Sequence, residues 1–223
     1  VSALLASCSE SELWQNPQTE ARDGYIMLNF KTEIPAMQEV VTRAVDPDGG
    51  GVQDMTLFCF DSYGLFISTV KAGVTVQKPG PGEMEGTFKA EVPENTRTIH
   101  FLANQNMDEF KEDSFRNKSE SEVMAVLEGS SGRMIYWGRF ACDAGNDSNI
   151  AEQMATSGNS VKLIRNHARI SVDNPDNNGH IVITGFAVCN TNAFGTVAPH
   201  HPKKGFDFTW PSSDDPFVTL PVN

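Results

Sequence analysis

The sequence has no uninterrupted apolar run of about 18 residues, so it offers no helix that could span a bilayer. Cationic residues are scarce. Seventeen Lys and Arg stand against 29 Asp and Glu, a formal charge of -12. Phosphate backbones need a clustered cationic face, so no nucleic-acid partner is expected. Electrostatic docking on an anionic membrane surface is disfavoured for the same reason. The four cysteines (Cys8, Cys59, Cys142 and Cys189) are far apart, with no C-x-x-C and no neighbouring His. That spacing supports no zinc site. There is no G-x-S-x-G, because Gly129-Ser130-Ser131-Gly132 has the wrong spacing for a nucleophile elbow. Asp46-Pro47-Asp48-Gly49 lacks the remaining ligands of a calcium loop. No Gly-rich turn leads into a helix to cradle a phosphate, and no carboxylate pair has a glycosidase context. The sequence therefore predicts no catalytic residue, no metal ligand and no cofactor.

What is present points to a β protein. Hydrophobic residues make up 39% and charged residues 21%, which suits a folded domain rather than a disordered one. Period-2 alternation begins at residue 25, where Ile26, Leu28 and Phe30 share one face and Tyr25, Met27 and Asn29 the other. Residues 35–54 read as a loop, interrupted by Gly49-Gly50-Gly51. Met55–Phe60 and Leu65–Val70 read as a hairpin joined by the turn Asp61-Ser62-Tyr63-Gly64. Gly86–Val92 alternates, with Phe88, Ala90 and Val92 inward. Thr98–Ala103 is apolar on both faces and is expected to be central in its sheet. Further strands are expected at Met134–Phe140, Val161–Ile164, His167–Val172 and His180–Cys189. One helix is marked by the capping box Ser119-x-x-Glu122, and residues 106–116 read as another short one. The pattern predicts an antiparallel β-sandwich with long connections and one or two short helices.

The two ends differ from this middle. Leu5-Ala6-Ser7-Cys8 resembles a bacterial lipobox, in which the Cys thiol becomes a thioether to diacylglycerol. Residues 1–8 thus read as the end of a lipoprotein signal, with Cys8 lipidated, and residues 9–23 as a polar tether. Residues 24–200 form the sandwich domain. Five of the 12 prolines fall within residues 199–223, so residues 201–223 read as the Pro-rich start of a second domain.

The single residues with chemical potential carry bland readings. His100 alternates within an apolar strand and reads as a satisfied core residue. His200-His201 point apart on an extended chain and do not form a metal pair. Cys59 and Cys189 lie in apolar runs and read as small buried hydrophobes. A disulfide among Cys59, Cys142 and Cys189 is neither required nor excluded by spacing. Trp14, Trp137 and Trp210 are candidates for a sugar-stacking platform, with core packing the simpler role for Trp137.

Three features in this order resemble the Bacteroidetes fimbrillin family, lipoprotein-derived pilus subunits with their anchor and tip relatives. The first is the Cys8 lipobox, followed by a polar tether and one strand at 25–31. The second is Val41-Thr42-Arg43-Ala44, a Gly/Asp linker, then Met55–Leu65, similar to the cleavage site and first mature strand-turn. The third is Val161–Val172 leading into Ile183–Asn190 and Gly195–Pro199, similar to the strands that close the family's N-terminal domain. The resemblance spans most of residues 5–200. It implies a transthyretin-like sandwich and a cell-surface location at the outer membrane. It also implies maturation by a protease cutting between Arg43 and Ala44. Loss of the first strand, with plugging side chains Ile26, Leu28 and Phe30, would open a groove for a neighbouring subunit's strand. Anchor members keep this strand and their lipid. The implied partners are other fimbrial subunits, the outer membrane through the lipid, and a host surface or glycan. Two other readings compete with this one. One is a glycan-binding surface lipoprotein. The other is a hydrolase whose catalytic half lies beyond residue 223.

Overall fold

The computed structural model describes residues 21–33, 52–77, 86–130, 134–167, 183–189, 194–201 and 203–209. In chain order the elements are β1 (Tyr25–Glu33), β2 (Met55–Phe60), β3 (Phe66–Lys71), β4 (Gly73–Gln77), β5 (Gly86–Pro93) and β6 (Thr98–Ala103). Then come α1 (Glu120–Val126), β7 (Glu128–Ser130), β8 (Tyr136–Ala141), α2 (Ile150–Thr156), β9 (Ser160–Lys162) and β10 (Ile164–Arg165). Three short strands follow: β11 (Phe194–Thr196), β12 (His200–His201) and β13 (Gly205–Phe206).

Two sheets make a mostly β sandwich. One has the strand order β4-β5-β1-β9, the other β10-β8-β6-β2-β3. Every pairing is antiparallel except the short β1–β9 ladder. The central position of β6 agrees with its doubly apolar sequence, and both β2 and β6 are buried at all six positions. Period two sends their side chains alternately to two different cores.

The first core lies between the sheets. Ile26, Leu28 and Phe30 of β1 and Phe88, Ala90 and Val92 of β5 meet Leu57, Ile99, Phe101 and Tyr136 from the opposite sheet. The second core covers the far face of the five-stranded sheet. There Phe58, Phe60, Leu102 and Trp137 lie under Phe115, Val123, Met124 and Leu127. A sheet covered on both faces needs continuous apolar strands, which is why β2 reads Met-Thr-Leu-Phe-Cys-Phe.

Local signals act as their chemistry dictates. The Asp61 carboxylate accepts from the Tyr63 and Leu65 amides at 2.8 and 2.9 Å, and Gly64 takes the left-handed φ of +71° that closes the turn. α1 begins at the Ser119/Glu122 capping box. α2 has the same box in Asn149/Glu152, which the sequence expectation passes over. It was readable there, since Ile150, Ala151 and Met154 make one buried face and Gly158 follows at φ +79°. The short helix expected over 106–116 is instead two 3-10 turns, Met107–Glu109 and Glu112–Phe115.

The strand expected at Val161–Ile164 divides at Leu163. β9 belongs to one sheet and β10 to the other. The chain crosses between sheets over Gly138, where an added Cβ would lie 2.6 Å from the Lys162 carbonyl oxygen and 2.8 Å from Leu163 Cδ2. Only glycine leaves room for that crossing.

The expected strand over His180–Cys189 is corrected where it is described. Residues 183–189 have no regular structure and are exposed throughout, Cys189 included. A β-prone sequence becomes a strand only when another edge meets its main chain, and no described strand meets this one.

Candidate functional site

The residues singled out in the sequence divide sharply by location. Cys8, Arg43, Ala44, Trp14 and Trp210 lie outside the described residues. Ile26, Leu28 and Phe30 lie inside, and all three are buried. They hang from one strand, β1, into the first core.

β1 runs antiparallel to β5 without interruption, from Tyr25 opposite Pro93 to Thr32 opposite Gly86. Phe30 sits at its focus. Its ring stacks on Phe88 at 5.5 Å and meets the Phe101 edge at 5.0 Å, so one β1 side chain touches both sheets. On the other side β9 pairs only with Lys31–Glu33. The Lys31 amide donates to the Asn159 carbonyl at 2.7 Å, and the Leu163 amide donates to the Glu33 carbonyl at 2.7 Å. The Ser160 hydroxyl donates to the Glu33 carboxylate at 2.6 Å.

The start of β1 is fastened separately. The Arg22 amide and Nε donate to the two carboxylate oxygens of Glu91 on β5, at 2.5 and 2.8 Å. The Arg22 guanidinium also lies 4.4 Å above the Tyr25 ring. The Tyr25 amide returns to the Arg22 carbonyl at 3.0 Å, with Gly24 at φ +77° making the turn. The Arg22 amide, and after it the guanidinium, hold the Glu91 carboxyl below the usual carboxylate range.

Burying three side chains of this size contributes roughly 5–9 kcal/mol gross. Whole-domain net stabilities are about 5–15 kcal/mol. Loss of these contacts would therefore remove a large share of the domain's stability.

A second cluster lies on the other face of the five-stranded sheet. His100 on β6 is fully buried and sits opposite Arg139 on β8. Trp137 Nε1–H donates to His100 Nδ1 at 3.0 Å. That assigns the imidazole proton to Nε2, which donates to Glu120 Oε2 at 2.7 Å. Arg139 donates to both Glu120 oxygens, at 2.7 and 3.2 Å. Burial pushes the His100 pKa below its ordinary 6.5, against the pull of Glu120, in line with an Nδ1 that accepts from Trp137. Burial alone would raise Glu120. The hydrogen bonds from His100 and Arg139 overcome it and hold the carboxyl at about 2. Glu120 occupies the first turn of α1, where a carboxylate also suits the helix dipole.

Both imidazole nitrogens and both carboxylate oxygens are thus engaged, and Phe208 covers the ring at 4.8 Å. The cluster ties α1 to the sheet and presents no free nucleophile or base. Residues 203–209 return to this face, with Phe206 and Phe208 half-buried against the second core. Trp137 is enclosed here at 1% exposure, so it offers no sugar-stacking face. His200 and His201 are half-buried and exposed on the short strand β12. Among the described residues, no three His, Cys, Asp or Glu side chains converge as metal ligands.

The described cysteines are all free. Cys59 is buried and its thiol is pushed up to about 12, first by burial. Cys142 is half-buried and shifted the same way.

The chain matches no protein-family model, no curated protein and no solved structure.

Proposed function

We propose that this chain is a structural component of a cell-surface fimbrium, lipid-anchored through Cys8 and assembling with other subunits by strand addition. The supporting observation is the seat of β1. This single N-terminal strand supplies Ile26, Leu28 and Phe30 to the core between the sheets. The segment carrying Arg43 follows it in the sequence. In this reading cleavage between Arg43 and Ala44 frees β1. Its departure uncovers Phe88, Phe101 and the β5 main chain. A strand from another subunit restores both the hydrogen bonds and the apolar contacts. The role is one of polymerisation and surface contact rather than catalysis, at the outer membrane.

The test is limited digestion of the unlipidated protein with an arginine-specific protease, followed by mass spectrometry and size exclusion. Cutting after Arg43, release of the β1 peptide and growth of larger species support the reading. A cut chain that keeps β1 and stays monomeric overturns strand exchange.

A further inference from the structure

The two ends of β1 are held, but among the described residues no strand meets one of its edges in the middle. Lys31 donates away from β5, to Asn159, and Glu33 accepts on the same side. Main-chain direction alternates with period two, so the Met27 and Asn29 amides face that side as well. Among the described residues, β9 pairs there only with Lys31–Glu33, and no strand pairs with that edge over Tyr25–Phe30.

The outer edges of β3 and β4 are treated differently. At β3 the Thr69 amide is occupied by the Glu112 carboxylate at 2.9 Å, and the Phe66 amide by the Lys118 carbonyl at 2.9 Å. That edge is defended in the way soluble β proteins block pairing. At β4 the ladder to β5 shifts register between Val74 and Val76, an irregularity that twists an edge away from a straight partner. The eight-residue β1–β5 ladder has no such shift. Of these three edges, that of β1 is the straight one, and no described strand occupies it over Tyr25–Phe30.

The same chain carries a segment lacking what this edge lacks. Residues 183–189, Ile-Thr-Gly-Phe-Ala-Val-Cys, are β-prone and uncharged. All seven are exposed, with Ile183 at 45%, Phe186 at 62% and Val188 at 49%, and no described strand pairs with them. An uncharged segment also avoids adding to the mutual repulsion of two chains that each carry -12. Its seven residues are long enough to cover the six of Tyr25–Phe30.

We propose that the β1 edge over Tyr25–Phe30 accepts residues 183–189 of a second copy of the chain as an added strand, with β1 still in place. The contact goes beyond the function proposed above, because it requires neither cleavage at Arg43 nor departure of β1. Main-chain bonds to Met27 and Asn29 supply the pairing, and Phe186 and Val188 lose their exposure against the neighbouring copy.

The experiment uses the uncut, unlipidated chain. Sedimentation across a concentration series reads self-association. Met27→Pro removes the amide that faces the open edge and leaves the β5 side of the ladder intact. Phe186→Asp places a charge in the donated segment at an exposed position, so the fold itself is unaffected. The expected result is concentration-dependent dimers, with dissociation raised about tenfold or more by each variant. As a direct check, a Tyr25→Cys, Cys189→Ser chain is mixed with isotopically heavy wild-type chain and oxidised with diamide, because an antiparallel strand added along Tyr25–Phe30 brings residue 189 opposite residue 25. A disulfide from position 25 to the heavy Cys189 is expected. A monomer at every concentration overturns the proposal. So does association indifferent to Phe186→Asp, or oxidised dimers that lack this disulfide. If Met27→Pro fails to fold, Phe186→Asp and the cross-link still decide the matter. Protease digestion of the same sample reports separately on strand exchange.

Discussion

Replacing Phe30 with Ala tests whether β1 is a structural plug or a loosely attached arm. The ring is fully buried, stacked on Phe88 and edge-on to Phe101. Phe→Ala at a closed core site costs about 3–5 kcal/mol, from lost transfer energy and the cavity left behind. Here the upper part of that range is expected. The ring bridges two sheets whose strands hold its neighbours in place, so the cavity cannot collapse easily. The two aromatic contacts add about 0.5–1.5 kcal/mol each beyond area. Urea unfolding followed by tryptophan fluorescence would show the midpoint falling by roughly 2 M, taking a slope of about 2 kcal/mol/M. Phe30→Leu, which retains most of the volume, should cost about 1.5 kcal/mol or less. A Phe30→Ala chain within about 1 kcal/mol of wild type would refute the reasoning. It would mean that the first core closes without β1.

Four further outcomes are expected. Acid should weaken the fold in two stages. The folded His100 pKa lies below its ordinary 6.5, so the unfolded state binds more protons and stability falls as pH drops below about 6.5. Glu120 is depressed from 4.5 to about 2, and its contribution is lost as pH falls through that interval. Denaturant midpoints against pH should show both stages, and Glu120→Gln should remove the lower one. Gly138→Ala forces a Cβ against the Lys162 carbonyl and should lower Tm in calorimetry, by about 2–4 °C per kcal/mol of a roughly 1–3 kcal/mol penalty. Thr32→Val should stabilise by about 1 kcal/mol in the same urea assay, because Thr32 Oγ1 is buried without a hydrogen-bond partner. The Arg22–Asp23 bond sits in a hydrogen-bonded turn and should resist trypsin, with Glu91→Ala accelerating the cut seen by mass spectrometry.

Much of the candidate site was legible from residues 25–33 alone. Alternation of Ile26, Leu28 and Phe30 announces one buried face, since the strand period is a local property of the chain. The identity of what they face was not legible. Phe88 and Phe101 lie 58 and 71 positions away from Phe30, and no spacing rule links them. The Glu120 cluster shows the same limit. His100 was readable as a satisfied core histidine, but its partners come from α1 and β8. The missed α2 is a different case. Its Asn149/Glu152 box was present in the sequence, hidden beside the turn-rich residues 143–147.

The sequence by itself determined the mostly β class, the buried faces of β1 and β5, the central place of β6 and the start of α1. Each follows from side-chain periodicity or from a cap that closes within four residues. Only the tertiary structure decided which strands became neighbours, that β9 runs parallel to β1, that the chain crosses at Gly138, and that no described strand pairs with residues 183–189. Those outcomes depend on which distant edge supplies the complementary amides and carbonyls. That competition is settled by packing across the whole chain rather than by any residue's own preference.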